Sequence, residues 1–332
     1  MLPRFLNLAE HRGAWLAGAF GTAVMLGFFA LTLDLDTLAR AWHGIPARTF
    51  WLVALLLGIN GLIDGTWLAV ITRGSGRPGD AWRVVAWHML VQTLLPARLG
   101  DVAWMYWVHN WLEQPLARAI FMGFYHRLQD LMVVSALLVL SLAMTRGSFG
   151  SAPVIALAIV LLALATLACL HLERLLGWAG RVLLWLRRRF RRRWLTLLLE
   201  HLLMTRAWYR HRLARDQVVL SFVAILLRWV TIVAAVALVI RTLAPVVASD
   251  DSFFLANAYI YLGVVPVQSV GGFGTGEAGL AWLLTYYGVP LAQASALGLL
   301  TRVLINLVHL ALWLVVIPAV YLLRRFTLRT RG

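Results

Sequence analysis

The stretch Val270–Gly279, V-G-G-F-G-T-G-E-A-G, lies inside one of the most apolar regions of the chain. Gly271, Gly272, Gly274 and Gly276 crowd into six positions, and each costs a continuous helix about 1 kcal/mol relative to alanine. Glu277 follows at once, and a carboxylate in hydrocarbon costs about 2.5 kcal/mol or more. Broken backbone at membrane depth persists only where it is packed in protein or lines a wet cavity. The segment therefore reads as the break in a discontinuous helix, the kind of element that forms binding sites in transporters. The competing reading is a surface loop between two spans, but the flanking apolar runs are too short to cross separately.

Composition sets the class. Of 332 residues, 61% are hydrophobic and 13% charged, a balance that defines a polytopic membrane protein. The net charge is +16, and all thirty cations are arginine. The one cysteine, Cys169, excludes internal disulfides and a cysteine-based metal site. The first apolar run lacks a small-residue cleavage site and reads as a retained span. No polar region is large enough for a separate soluble catalytic domain. Neither H-E-x-x-H nor a phosphate-binding G-x-x-x-x-G-K-[ST] is found, nor any nucleophile motif, so no catalytic residue, metal or cofactor is expected and ATP hydrolysis is not.

In chain order, a span is expected at 14–33, with Arg4 and Arg12 before it and Asp34 and Asp36 after it, which places the N-terminus in the cytoplasm. A polar interfacial segment reaches Arg48. A second span at 49–71 carries Asn60 and Asp64 on one face. Residues 82–96 and 102–112 are two apolar arms broken by Pro96-Ala97-Arg98-Leu99-Gly100-Asp101. Each arm is shorter than the roughly 20 residues a crossing needs, so they predict a hairpin entering and leaving on the cytoplasmic side. Pro115 opens a long helix to about Thr145, and a span at 152–170 follows.

Residues 171–216 hold twelve arginines against three acids, with leucines at helical spacing. This predicts a basic amphipathic segment on the anionic cytoplasmic leaflet, with Arg187, Arg188, Arg189, Arg191, Arg192 and Arg193 as its densest cluster. A topology signal is the plainer reading of the same charge, and nucleic acid is not an expected partner. A span at 217–241 carries Arg228 and exits to Asp250 and Asp251. Runs at 253–268 and 277–288 flank the glycine break as a second hairpin, opening outward. Pro290 then starts the last helix, which ends at Arg324 and Arg325 in the cytoplasm.

The halves are related. Pro115-Leu116-Ala117-Arg118-Ala119 matches Pro290-Leu291-Ala292-Gln293-Ala294 at an offset of 175, which also pairs Gly123 with Gly298 and Arg127 with Arg302. One inserted residue pairs Asp101 with Glu277. Charge bias runs the two proline-initiated helices in opposite directions, so the expectation is an inverted-topology repeat, about 14–145 and 152–323, within a single transmembrane domain, 1–332. The fold expected is all-α, with about six full spans plus two re-entrant helical hairpins.

Arg127 and Arg302 each lie twelve residues into their helices, about 18 Å from the start, near the middle of a roughly 30 Å hydrocarbon core. An arginine there needs a partner or water. Arg98, Asp101, Asp130 and Glu277 are the charges available, and Arg127 and Asp130 share a face. Ion pairs that merely hold helices together are one reading. The other is a head-group site, because guanidinium forks match phosphate oxygens and freed helix amides add donors. Glu277, Asp101 and His126 suit an amine or a coupled proton. Asn60, Asp64, His126, Arg228 and Asn306 are secondary candidates; a lone histidine such as His126 or His309 is more often simply packed.

At these residues the chain resembles the transmembrane region of the lysylphosphatidylglycerol synthase/flippase family. The family pattern P-G-R-x-G-E is similar to Pro96–Asp101, E-R-x-x-D to His126–Asp130, G-G-x-G-x-x-E to Gly271–Glu277, and its late-helix arginine to Arg302. Ala97, Asp101 and His126 depart from it. The resemblance covers about residues 10–325 and implies a stand-alone lipid-translocating domain without the aminoacyl-transferring domain, so synthase activity does not carry over. The expected function is a flippase-like transporter of an anionic or zwitterionic phospholipid, or a polyprenyl-phosphate-linked lipid, in the inner membrane. Substrate binding would fall to Arg98, Asp101, Arg127, Asp130, Gly271, Gly272, Gly274, Glu277 and Arg302. The alternatives are a membrane-embedded head-group-modifying enzyme and a scaffold for a lipid synthase. A lipid-synthesis enzyme or a second copy is the macromolecular partner to expect.

Overall fold

The computed structural model describes residue 27, residues 35–72, 75–76, 79–94, 99–145, 171–190, 215–264 and 275–329, and isolated positions between 156 and 167 and between 195 and 206. Every regular element among the described residues is helical: α1 Leu35–His43, α2 Ala47–Ile71, α3 Asp80–Leu94, α4 Leu99–Trp111, α5 Leu116–Met144, α6 Leu172–Phe190, α7 Arg215–Leu243, α8 Ser249–Val264, α9 Thr275–Tyr286 and α10 Leu291–Arg329.

Among the described residues, four helices carry segments long and apolar enough to cross a bilayer: Ala47–Ile71, Leu116–Met144, Gln217–Leu243 and Leu291–Ala319. Their outward faces are as apolar as their inward ones. Trp51, Leu55 and Leu62 on α2, and Val219 and Leu227 on α7, are exposed, whereas Asn60, Asp64, Asp130 and Arg228 are buried. A soluble fold does not leave contiguous large apolar faces bare while burying its charges, so hydrocarbon is the medium these faces fit. The expected spans at 14–33 and 152–170 lie outside the described residues or touch only isolated ones.

Proline sets the starts. Pro46 and Pro115 precede α2 and α5 in extended conformations and accept the first helical bonds from Thr49 and Arg118 at 2.9 and 2.8 Å; Pro290 accepts from Ala294 at 2.8 Å before α10. The last helix runs past Arg324 and Arg325 to Arg329, with Pro318 inside it. No glycine or helix-breaking cluster stands between Pro318 and that end. The interfacial segment before Arg48 contains a helix of its own, α1, which packs against α10.

The short helices pair antiparallel. In α3 and α4, Arg83 lies over the Trp111 ring at 3.7 Å, Trp87 meets Trp107, and His88 meets Asp101. In α8 and α9, Thr275 Oγ1 donates to Leu262 O at 2.6 Å and Tyr259 reaches Glu277. At the open end of this second pair, burial and the facing Asp251 carboxylate raise the Tyr287 phenol above its ordinary range. With 12 to 16 residues each, none of these arms reaches the length of a crossing helix.

The packing exchanges under the offset found in the sequence. With α2, α3, α4 and α5 matched to α7, α8, α9 and α10, the contact of α3 on α10 is mirrored by α8 on α5, and α2 on α10 by α7 on α5. The two matched long helices α2 and α7 pack directly on each other. Gly298, at the crossing of α9 and α10, is pressed against backbone: a Cβ there would meet Glu277 O at 2.7 Å. Gly58 on α2 has only Leu312 methyl carbons at 3.9 Å or more. Gly298→Ala is therefore expected to cost about 1–3 kcal/mol through overpacking. Gly58→Ala should be neutral or gain up to about 1 kcal/mol of helix propensity. Melting of the detergent-solubilised variants checks both, and equal melting temperatures would contradict the close approach.

Candidate functional site

Two buried charge clusters face one another across the meeting of the halves. The first is centred on Asp130 of α5, which is 2% exposed. Its carboxylate pairs with Arg228 of α7, accepts from Trp229 Nε1 at 2.8 Å and from Arg127 Nη1 at 3.3 Å, and stands 3.4 Å from His126 Nδ1. The i, i+3 and i, i+4 spacings put Arg127 and His126 beside it on the same turn of helix. Asp64 of α2 faces His126 Nε2 at 3.3 Å and Arg228 Nε at 3.9 Å. Arg127 also donates from Nη2 to Asp101 of α4, whose Oδ1 lies 3.2 Å from His88 Nε2 of α3.

Neutral bonds hold the same helices in register. Asn60 Nδ2 donates to Arg228 O at 3.1 Å, Trp67 Nε1 to Ser221 Oγ at 2.6 Å, and Ser221 Oγ to Gln129 Oε1 at 3.0 Å. Burying ions is costly, and the cost is tolerable only where geometry and extra hydrogen bonds compensate. Each carboxylate here has at least two cationic or N–H partners.

The second cluster is smaller. Glu277, fully buried at the start of α9, accepts from Arg302 Nε of α10 at 2.6 Å and from the Tyr259 hydroxyl of α8 at 2.9 Å. It repeats the first in outline: each half sets an arginine of its long proline-initiated helix on a carboxylate near the start of its second hairpin arm. The residues concerned, Arg127 with Asp101 and Arg302 with Glu277, are those paired by the sequence offset.

Between the clusters lies a cavity of about 210 Å³ reached by both halves, with Arg127, Arg228, Arg302, His88, Asn306 and His309 among its lining residues. The carboxylates of both clusters stand behind the cations, so the wall facing the cavity offers N–H donors. A fork of five donors on each guanidinium is only partly used by the carboxylate behind it. Such a surface can hold an oxyanion in a low-dielectric setting, where charge-assisted bonds are strongest.

Asp101, Arg127, Asp130, Asn60, Asp64, His126 and Arg228 thus fall in the first cluster, Glu277 and Arg302 in the second, and Asn306 on the cavity wall. Arg98, Gly271, Gly272 and Gly274 lie outside the described residues. Arg187, Arg188 and Arg189 are exposed near the end of α6, and Arg191, Arg192 and Arg193 lie outside the described residues. Tyr259, Trp229 and His88 join the clusters without having stood out in the sequence. The one available signal was Trp229, adjacent to Arg228; Tyr259 and His88 sit in apolar runs that read as core.

These features define a polytopic helical membrane protein with paired charges lining a cavity between its helices. The chain belongs to the family described as the lysylphosphatidylglycerol synthase transmembrane region, whose model matches residues 15–313. No curated protein and no solved structure matches it. Membership ties the chain to a lipid-related function in a membrane.

Proposed function

We propose that the protein moves a phosphate-bearing lipid between the leaflets of the inner membrane, either an anionic or zwitterionic phospholipid or a polyprenyl-phosphate-linked lipid. The observation that carries this reading is the shared cavity, lined by Arg127 from the first half and by Arg228 and Arg302 from the second. In this reading Arg98, Arg127 and Arg302 bind the head group, and Asp101, Asp130 and Glu277 balance its charge or carry protons. The starts of α4 at Leu99 and of α9 at Thr275 would add helix-end amides as donors. The antiparallel pairs α3–α4 and α8–α9 are then re-entrant hairpins from opposite leaflets. About six full spans complete a single domain of inverted repeats, 14–145 and 152–323, with both termini cytoplasmic. Arginines 187–189 and 191–193 attract the anionic leaflet.

A head group crossing hydrocarbon needs a polar way-station that neither leaflet's lipids reach unaided. A cavity at the junction of two related halves provides one when the halves alternate in opening. The test is translocation of head-group-labelled phosphatidylglycerol and phosphatidylethanolamine in liposomes, read by membrane-impermeant quenching. Protein-containing liposomes are expected to expose label from the inner leaflet faster than empty ones. Equal rates for a panel of anionic, zwitterionic and polyprenyl-phosphate lipids would remove the reading.

A further inference from the structure

A second chamber, of about 310 Å³, adjoins the polar cavity and is mainly apolar. It lies within the first half, between α2, α3, α4 and α5; Trp67, Leu68, Val85, Trp104 and Met105 make up most of its walls, and the Asp64 and Asp101 carboxylates also line it. His88, His126 and Arg127 line both chambers and form the partition between them. Its mouth is on the outer face of α5. Ile120 and Phe124 line the chamber and are 43% and 55% exposed, in one stripe with exposed Leu116 at i, i+4 spacing.

The matched crossing in the other half shows how room is made. At Gly298 the second arm presses backbone against helix, with Glu277 O 2.7 Å from a would-be Cβ. At Gly123 the nearest atom is the flexible Met105 Cε, at 2.8 Å, and then the Trp104 ring at 3.4 Å. The α4–α5 crossing is thus spaced by side-chain ends, and that spacing is the chamber. A mainly apolar chamber beside a donor-rich one, with exposed Ile120 and Phe124 in its lining, matches an amphiphile better than a free anion or a soluble metabolite. The lipid bilayer offers a chain the same apolar surroundings, so the chamber supplies position rather than hydrophobic gain.

We infer that this chamber holds one hydrocarbon chain of the lipid whose head group occupies the adjoining polar cavity, the chain entering sideways between α4 and α5. The inference rests on the proposed handling of a phosphate-bearing lipid. It makes the partition residues a collar around the junction of head group and chain, and it assigns selectivity for chain shape to Trp67, Trp104 and Met105.

The test uses the full-length protein in nanodiscs containing phosphatidylglycerol with an alkyl diazirine on one chain. After photolysis, labelled peptides are mapped by mass spectrometry. Label is expected to concentrate on Met105, Ile120 and Phe124 over the ordinary lipid-facing residues Val219, Leu220 and Val223. Gly123→Leu, which fills the chamber, and Ile120→Trp, which narrows an exposed mouth without touching the core, are each expected to lower that label roughly tenfold by sterically excluding the chain. Label at Val219 should not change in either variant. Even labelling of all lipid-facing helices, or chamber label unchanged in Ile120→Trp, would overturn the inference. The labelling needs no transport: chamber label in a protein that moves no lipid leaves this site standing and removes the transport reading. Lipid movement that persists after both variants abolish the label does the reverse.

Discussion

Asp130→Ala is expected to yield little or no folded protein. Asp130 is almost fully buried, and it is the carboxylate on which Arg228, Trp229 and Arg127 converge. Removing it strands the Arg228 guanidinium, itself buried, in a low-dielectric interior. Breaking a buried pair from one side typically costs about 3–5 kcal/mol, a large share of the roughly 5–15 kcal/mol that holds a domain together. Asp64, 3.9 Å from Arg228 Nε, offsets only part of that cost. The measurement is the monodisperse fraction and melting temperature of the detergent-solubilised variant. The double variant Asp130→Leu with Arg228→Met is expected to recover most of the loss, because apolar side chains of similar volume replace a buried pair at little or no cost. Full stability in Asp130→Ala alone would show that the cluster is wet and weakly coupled.

Arg302→Gln is expected to cut transport. Glu277 keeps its bond from the Tyr259 hydroxyl, and the glutamine amide can still donate toward it, which offsets part of the cost, about 3–5 kcal/mol, of taking the Arg302 cation from a buried carboxylate. Arg302 keeps part of its side chain open, 19% exposed, and lines the shared cavity. Losing a charge-assisted contact to a phosphate there removes about 2–3 kcal/mol, which lowers the translocation rate roughly 30- to 150-fold. The melting temperature is expected to fall as well, so the translocation rate is read per folded protein. A variant that translocates at the wild-type rate would take Arg302 out of the site. Pairing it with Glu277→Gln should restore any lost stability and leave transport impaired.

Much of the helix layout was legible because its signals are local. Pro115 and Pro290 mark helix starts through the missing N–H, and the short arms around Pro96 and the glycine run announce themselves by length. Arg127 and Asp130 were readable as a pair because one turn of helix sets their distance. Asp101 and Glu277, matched by offset alone, each sit on the arginine of their own half. What stayed hidden depends on tertiary contact. Nothing in the sequence ties Arg228 to a carboxylate 98 residues away, or Asp64 to His126. Tyr259 was hidden for a different reason. An aromatic residue in an apolar run reads as packing until a carboxylate from the next helix meets its hydroxyl.

The seam between α2, α5 and α7 has a mechanical consequence. Ions and a chain of short bonds from Trp67 through Ser221 to Gln129 stitch these three helices together across the two halves. Prising them apart would strip buried charge of its partners, so under the proposed transport this seam is the fulcrum. The stroke would then belong to the lighter levers on either side of it, the short paired arms, swinging about a centre that stays together.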